Sequence, residues 1–327
     1  MRRLSASSLR TYRTCPQKWK LKYVDGHEEE DRPFFNLGRA VHAALEAFYD
    51  GRVSGPPPLE EVLEAFRQEF DPEAYPDEEE RERRRADGLR MVREFHEKHA
   101  GDFRPALAVE KRLQFEVEGV SFVGYVDRID RTEDDRLRIV DYKTGGDLDL
   151  DRVRGSTQLT LYQLGAEEKF GREVDTLVLY HVPTQTPFEA DRHDDEQVER
   201  VKGKVRTVAR GIEEEAFEPS PGGHCDWCDF QPFCPAFADR YPENWQEDGE
   251  ASPGAPSSDE AAELADRYGR LRQRKSEISS ELGEIEDRLE TYFEATDRRA
   301  VAGDEFRVKA SRREEWRIDD DETLRRI

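Results

Sequence analysis

Two short stretches of this 327-residue chain place acids and a lysine where they could act on one atom: Gly124-Tyr-Val-Asp127-Arg-Ile-Asp130 and Ile139-Val-Asp141-Tyr-Lys143-Thr-Gly145. Side chains two apart on a strand share a face, so Asp141 and Lys143 are expected to point one way and Tyr142 the other. If the two strands are neighbours, Asp127 can lie beside Asp141. Two carboxylates at one point, joined by the backbone carbonyl of Tyr142, form a hard oxygen site suited to Mg²⁺ or Mn²⁺. A lysine beside that site can orient or deprotonate water, or neutralise charge developing on a phosphoryl group. The plain alternative for an isolated Asp-x-Lys is a strand-end charge paired with arginine, because motifs this short recur by chance.

The second chemical signal is sulfur. Cys225, Cys228 and Cys234 follow a Cys-x2-Cys-x5-Cys spacing, and Cys15 stands about two hundred residues upstream in Thr14-Cys-Pro-Gln, which accounts for all four cysteines. In an intracellular chain of this length four cysteines read as ligands or buried thiols rather than a disulfide framework. Four thiolates can complete an iron–sulfur cluster or a zinc site, and structural zinc usually presents two Cys-x2-Cys knuckles.

The elements that must position these groups change period along the chain. Ser5 can cap a short helix that stops before Cys15-Pro16, and Pro16 can open the next. Val41, Ala44, Leu45 and Phe48 follow the 3, 4, 7 spacing of a one-sided helix over 38–49, with two further charged helices near 59–70 and 77–100. Leu107, Val109, Leu113, Phe115 and Val117 then alternate with polar residues as a half-buried strand does, and strands near 120–131 and 136–143 follow. A helix over 156–170, a strand over 174–182 and a helix over 193–217 complete an α/β layout with a mixed sheet. Residues 242–260, rich in Pro, Gly, Ser and acid, read as a flexible linker. Beyond it Leu264, Tyr268, Leu271, Ile278, Leu282, Ile285, Leu289 and Tyr292 form a coiled-coil-like stripe, and 299–318 read as a small hairpin turning at Gly303-Asp304. That tail would either pack back on the rest of the chain or dock a partner. No Walker A phosphate loop is present.

The order Gly-x-x-Asp then Asp-x-Lys-Thr-Gly resembles the PD-(D/E)xK nuclease superfamily, in particular its RecB-like branch. The resemblance implies a restriction-endonuclease-like core over residues 1–241, with 261–327 as a C-terminal extension. His42, in Gly38-Arg-Ala-Val-His, is similar to the metal-binding histidine of that branch; on its own it would read as a hydrogen-bonded histidine beside an apolar face. Gln158 and Tyr162, at i and i+4, match the branch's Gln-x-x-x-Tyr element and can meet on one helical face. Glu110 reads equally as an auxiliary acid or a surface salt-bridging residue. By resemblance, His42, Asp127, Asp141 and the Tyr142 carbonyl would hold one or two Mg²⁺ or Mn²⁺ ions, with Lys143, Gln158 and Tyr162 serving catalysis. The cysteine pattern resembles the 4Fe-4S clasp of AddB-type and CRISPR-adaptation nucleases, with zinc as the alternative occupant of Cys15, Cys225, Cys228 and Cys234.

The expected activity is metal-dependent hydrolysis of DNA phosphodiester bonds, preferring single strands or free ends, in recombination or repair, with a helicase or another recombination protein as a possible partner. The competing readings are a CRISPR-adaptation nuclease and a non-catalytic DNA-binding or assembly subunit. Charge argues against nucleic acid only at first sight. The net charge is −23, whereas phosphate-binding proteins are expected to be basic. Yet residues 1–24 carry +7 and no acid, while 242–297 hold 16 acids against 6 bases. No apolar run approaches the roughly 18–20 residues of a membrane span, and no secretory signal opens the chain, so a cytoplasmic protein is expected.

Overall fold

Alternating burial and crossover length dictate a mixed sheet here. The computed structural model describes residues 3–29, 33–75 and 77–240, and individual positions between 263 and 309. The chain divides into two units, Met1–Arg13 with Glu30–Ala216 and Thr14–Glu29 with Phe217–Ile327.

In the first unit, α1 (Ala6–Thr14) begins under a Ser5 cap, whose hydroxyl accepts the Ser8 N–H at 3.1 Å. Helices α3 (Pro33–Tyr49), α4 (Leu59–Glu69) and α5 (Glu78–Ala100) follow α2, which belongs to the second unit. Strands β1 (Ala108–Val117) and β2 (Val120–Arg131) are joined by Glu118-Gly119, both at positive φ (55° and 73°), as a two-residue hairpin turn requires. Strand β3 (Leu137–Lys143) pairs antiparallel with β2. A crossover through α6 (Leu150–Arg154) and α7 (Thr157–Phe170) then lays β4 (Val174–His181) parallel to β3. Strand β5 (Thr186–Asp191) closes the sheet in the order β1-β2-β3-β4-β5, and α8 (Asp195–Glu213) ends the unit.

β5 is the one strand of this sheet that the residue pattern does not announce. Thr186-Pro-Phe-Glu-Ala-Asp is short, polar and interrupted by proline, which suits an edge strand and reads as a loop.

The sheet is covered on both faces. Val140, Tyr142, Val178 and Tyr180 pack into one apolar cluster with Val41, Leu45 and Phe48 of α3, Phe66 of α4 and Phe95 of α5. On the other face α7 contacts β1, β3 and β4 and packs on α8. Ser156 caps α7 by accepting the Leu159 N–H at 3.1 Å, and Gly171 ends it at φ 62°. Gly165 lets α7 approach β1, since a Cβ there would lie 2.5 Å from the Phe115 ring.

In the second unit, α2 (Pro16–Tyr23) opens on Pro16 with Cys15 as its cap. Trp19 is buried and stacks on Phe217 at 5.7 Å. Residues 223–237 form three short 3₁₀ turns, and β6 (Ala300–Ala302) pairs with β7 (Arg307–Lys309) as a hairpin. Of the apolar stripe, Leu264, Leu271, Ile278, Leu282 and Ile285 are helical and exposed, while Leu289 and Tyr292 are helical and half-buried. The expected linker at 242–260, Tyr268 and the end of the expected hairpin lie outside the described residues. Among the described residues no helix is long and apolar enough to cross a membrane.

Candidate active site

The sheet register sets Asp127 opposite Asp141. The β2–β3 ladder ends at Arg128↔Val140, and the two aspartates are the next pair along. On the other side of β2, the pairs Val109↔Arg128 and Lys111↔Val126 set Glu110 opposite Asp127. Three acids from three adjacent strands therefore form one row. Glu110 occupies its place at φ 44°, a left-handed backbone that costs a non-glycine residue on the order of 1–3 kcal/mol and is found preferentially at functional positions.

Where β2 and β3 part, the Tyr142 N–H donates to Asp127 Oδ2 at 2.6 Å. Helix α3 brings His42 to the same carboxylate, with Nδ1 3.5 Å from Asp127 Oδ2. The ligand atoms of His42, Glu110 and Asp127 all lie within 4.8 Å of one another. The Tyr142 backbone lies close enough to the His42 ring to offset slightly the lowering of its pKa by burial, and the two rings meet edge-on with centroids 6.1 Å apart.

Lys143 shares its face with Asp141 and pairs with it. Its Nζ also donates to Gln158 Oε1 at 3.4 Å, and Gln158 Nε2 donates to the Tyr162 hydroxyl at 2.9 Å. Helix α7 thus holds the lysine through a two-residue relay. Tyr162 can lie against β2 only because residue 124 is glycine: a Cβ there would sit 2.9 Å from Tyr162 Cε1.

The electrostatics follow from crowding acids in a buried place. Asp127 and Asp141 are only 8% and 2% exposed. Burial, then the charge of Asp141, raises the Asp127 carboxyl well above the usual range. Burial, then the charge of Asp127, pushes Glu110 up to about 7. Burial lowers His42 against the pull of Asp141 and Glu110, so its imidazole favours the neutral form that can ligate a metal. Three acids face one lysine, and the imbalance is what a hard divalent cation would relieve. Oxygen donors with one imidazole fit Mg²⁺ or Mn²⁺.

All the residues singled out from sequence for metal and catalysis, His42, Asp127, Asp141, Tyr142, Lys143, Gln158 and Tyr162, are gathered here, and Glu110 joins them. Two contributors carry no motif. Glu46, one turn after His42 on α3, lies close enough to raise Glu110 further; its i, i+4 spacing from His42 was the available signal. Arg128 is buried, pairs with Asp130 at 3.0 Å, donates to the Tyr142 hydroxyl at 2.9 Å and lies 4.5 Å over the Tyr49 ring. It anchors Tyr142 from behind the row.

The cysteines form a separate site within the second unit. Cys15, Cys225, Cys228 and Cys234 line one pocket with Lys18 and His224, and none is in a disulfide. Cys15 Sγ accepts the N–H groups of Lys18 at 3.4 Å and Ser220 at 3.5 Å, and Cys225 Sγ accepts that of Gly222 at 3.4 Å. His224 Nε2 is buried without a hydrogen-bond partner among the described residues. Burial raises the Cys228 and Cys234 thiols, and the neighbouring cysteines add to the rise. Four thiols that line one pocket, two of them accepting backbone N–H groups, have the chemistry of ligands to a soft metal centre, iron–sulfur or zinc.

Known proteins share much of this chain. The Gene 69 protein of Mycobacterium phage L5 is 25% identical over 284 residues, which is 71% of this chain and 96% of the phage protein. Among solved structures, an exonuclease candidate from Eubacterium rectale overlays 69% of this chain and 86% of its own, at 14% identity and a TM-score of 0.46. SSO0001 overlays 68% and 94% at 21% identity and a TM-score of 0.32. The profile of the PD-(D/E)XK nuclease superfamily matches residues 3–235, a span that holds the whole acidic row and every cysteine. The chain belongs to the PD-(D/E)XK nuclease superfamily.

Proposed function

We propose that this protein is a Mg²⁺- or Mn²⁺-dependent deoxyribonuclease that digests DNA from strand ends, prefers single strands, and serves recombination or repair. The observation that carries this reading is the row Glu110, Asp127, Asp141 across three strands, with His42 and Lys143 at its flanks. His42, Glu110, Asp127, Asp141 and the Tyr142 carbonyl would hold the metal, which would supply Lewis-acid stabilisation of charge on the phosphoryl oxygens.

The chain's own groups do the positioning. Lys143 orients the attacking water and balances charge as oxygen adds to phosphorus in line. One P–O ester bond breaks, and the departing oxygen takes up a proton. Gln158 and Tyr162 hold Lys143 in place from α7. In the second unit, the four cysteines would carry a 4Fe-4S cluster, with zinc as the alternative, and so brace the segment around Cys15 against residues 217–240.

Labelled linear and circular single strands, incubated with purified protein and Mn²⁺, test the proposal. Degradation of the linear strand that EDTA stops is expected. No cleavage of any DNA would support a non-catalytic DNA-binding role instead.

A further inference from the structure

A cavity of about 270 Å³ lies between α1 and the start of α7 and reaches Gln158, the partner of Lys143. Ser7, Arg10 and Arg13 line it from α1, and Thr157 and Gln158 from α7. Among the described residues no acid lines it, although the chain holds 75 acids against 52 bases. Lys204 of α8 reaches the same place, donating from Nζ to Thr157 Oγ1 at 2.9 Å. Neither Arg13 nor Lys204 pairs with a carboxylate among the described residues, whereas Arg192, Arg200 and Arg206 do. Burial, then the charges of Arg13 and Arg200, lowers the Lys204 ammonium, so these cations feel one another.

Like charges held together around an acid-free cavity repel unless an anion sits among them. Gln158, the residue that holds Lys143, is part of the cavity's lining. Gln158 thus joins the lysine beside the acidic row to the cavity that Arg13 lines, with Lys204 held at Thr157.

We propose that this cavity is a binding site for a second, non-reacting phosphodiester of the nucleic-acid strand, held by Arg13 and Lys204 with Arg10 at its rim. The proposal rests on the nuclease reading for its ligand class but not for its test. Binding energy gained there would fix the strand's register before chemistry, and it explains how a chain of net charge −23 can hold a polyanion.

The test is equilibrium binding of a fluorescent twenty-residue oligothymidylate to the full chain by anisotropy, in Ca²⁺ and from 50 to 300 mM salt. Arg13→Gln and Lys204→Gln should each weaken binding about threefold to tenfold at 0.1 M salt and reduce the slope of log affinity against log salt by about 0.7. Arg13→Lys should restore the slope. Arg192→Gln, which removes the same charge at a residue paired with Glu167, should leave it unchanged. Equal effects of Arg192→Gln and Arg13→Gln, an unchanged slope in both cavity variants, or no binding by the wild type would each overturn the proposal. A protein that binds with this pattern yet cuts no strand in Mn²⁺ would retain the phosphate site and lose the nuclease reading.

Discussion

Asp127 accepts the backbone N–H of Tyr142 at 2.6 Å, at the point where β2 and β3 stop pairing. The carboxylate takes the place of a strand carbonyl. That substitution keeps a buried N–H satisfied while opening a fork in which Asp141 and Glu110 can converge. The fork is the structural origin of the site.

Gly124→Ala tests how tightly α7 must seat on β2. Its methyl would press on the Tyr162 ring, and shifting the ring disturbs the Gln158 relay to Lys143. Overpacking of this kind costs about 1–3 kcal/mol, measured by urea unfolding. Cleavage should fall by at least about tenfold, more than the stability loss explains, because a small misplacement of a positioned group is costly to rate. Normal turnover in a destabilised Gly124→Ala protein would show that the relay does not position Lys143.

Glu110 makes the metal-free protein sensitive to pH. Its carboxyl is raised to about 7 in the folded state, against about 4.3 in an unfolded chain. The folded protein then binds the extra proton, so this group's contribution to stability is full below about pH 4.3 and is lost as pH rises through about 7. The loss is of order 1–2 kcal/mol after allowance for solvent screening. Urea unfolding in EDTA at pH 5 and pH 8 reads it, and Glu110→Gln should shrink the difference. Adding Mn²⁺ should stabilise more at pH 8 than at pH 5, because ligands bind metal in their deprotonated forms.

The cysteine site predicts a colour. Anaerobically purified protein should show visible absorbance with about four irons per chain for a 4Fe-4S cluster. Cys15→Ser should lose that absorbance and lower the unfolding temperature of the second unit's segments, since Cys15 lies far in sequence from the other three cysteines. Stoichiometric zinc with no colour would assign the site to zinc.

Much of this was legible because the site is built on strands. Period-2 alternation placed Asp141 and Lys143 on one face, and helical spacing placed Gln158 beside Tyr162; both relations are local and survive into the fold. Glu110 was ambiguous for the opposite reason. Its role depends on the β1–β2 register, which pairs residue 110 with residue 127 across a hairpin, and on a left-handed backbone that no side-chain pattern encodes. Arg128 was invisible because a buried arginine looks in sequence like any surface charge until Asp130, Tyr142 and Tyr49 surround it. β5 escaped because an edge strand needs only one partner and tolerates a polar, proline-containing sequence.

The central claim is that Asp141, paired with Lys143 and set against Asp127, belongs to a metal-dependent phosphodiesterase centre. The measurement that tests it most directly is Mn²⁺-dependent digestion of end-labelled single-stranded DNA by wild type and by Asp141→Asn at matched stability. Wild type should digest the strand only with the metal, and Asp141→Asn should be slower by at least about a thousandfold, as expected when a metal-holding carboxylate is removed. Undiminished Mn²⁺-dependent digestion by Asp141→Asn would contradict it.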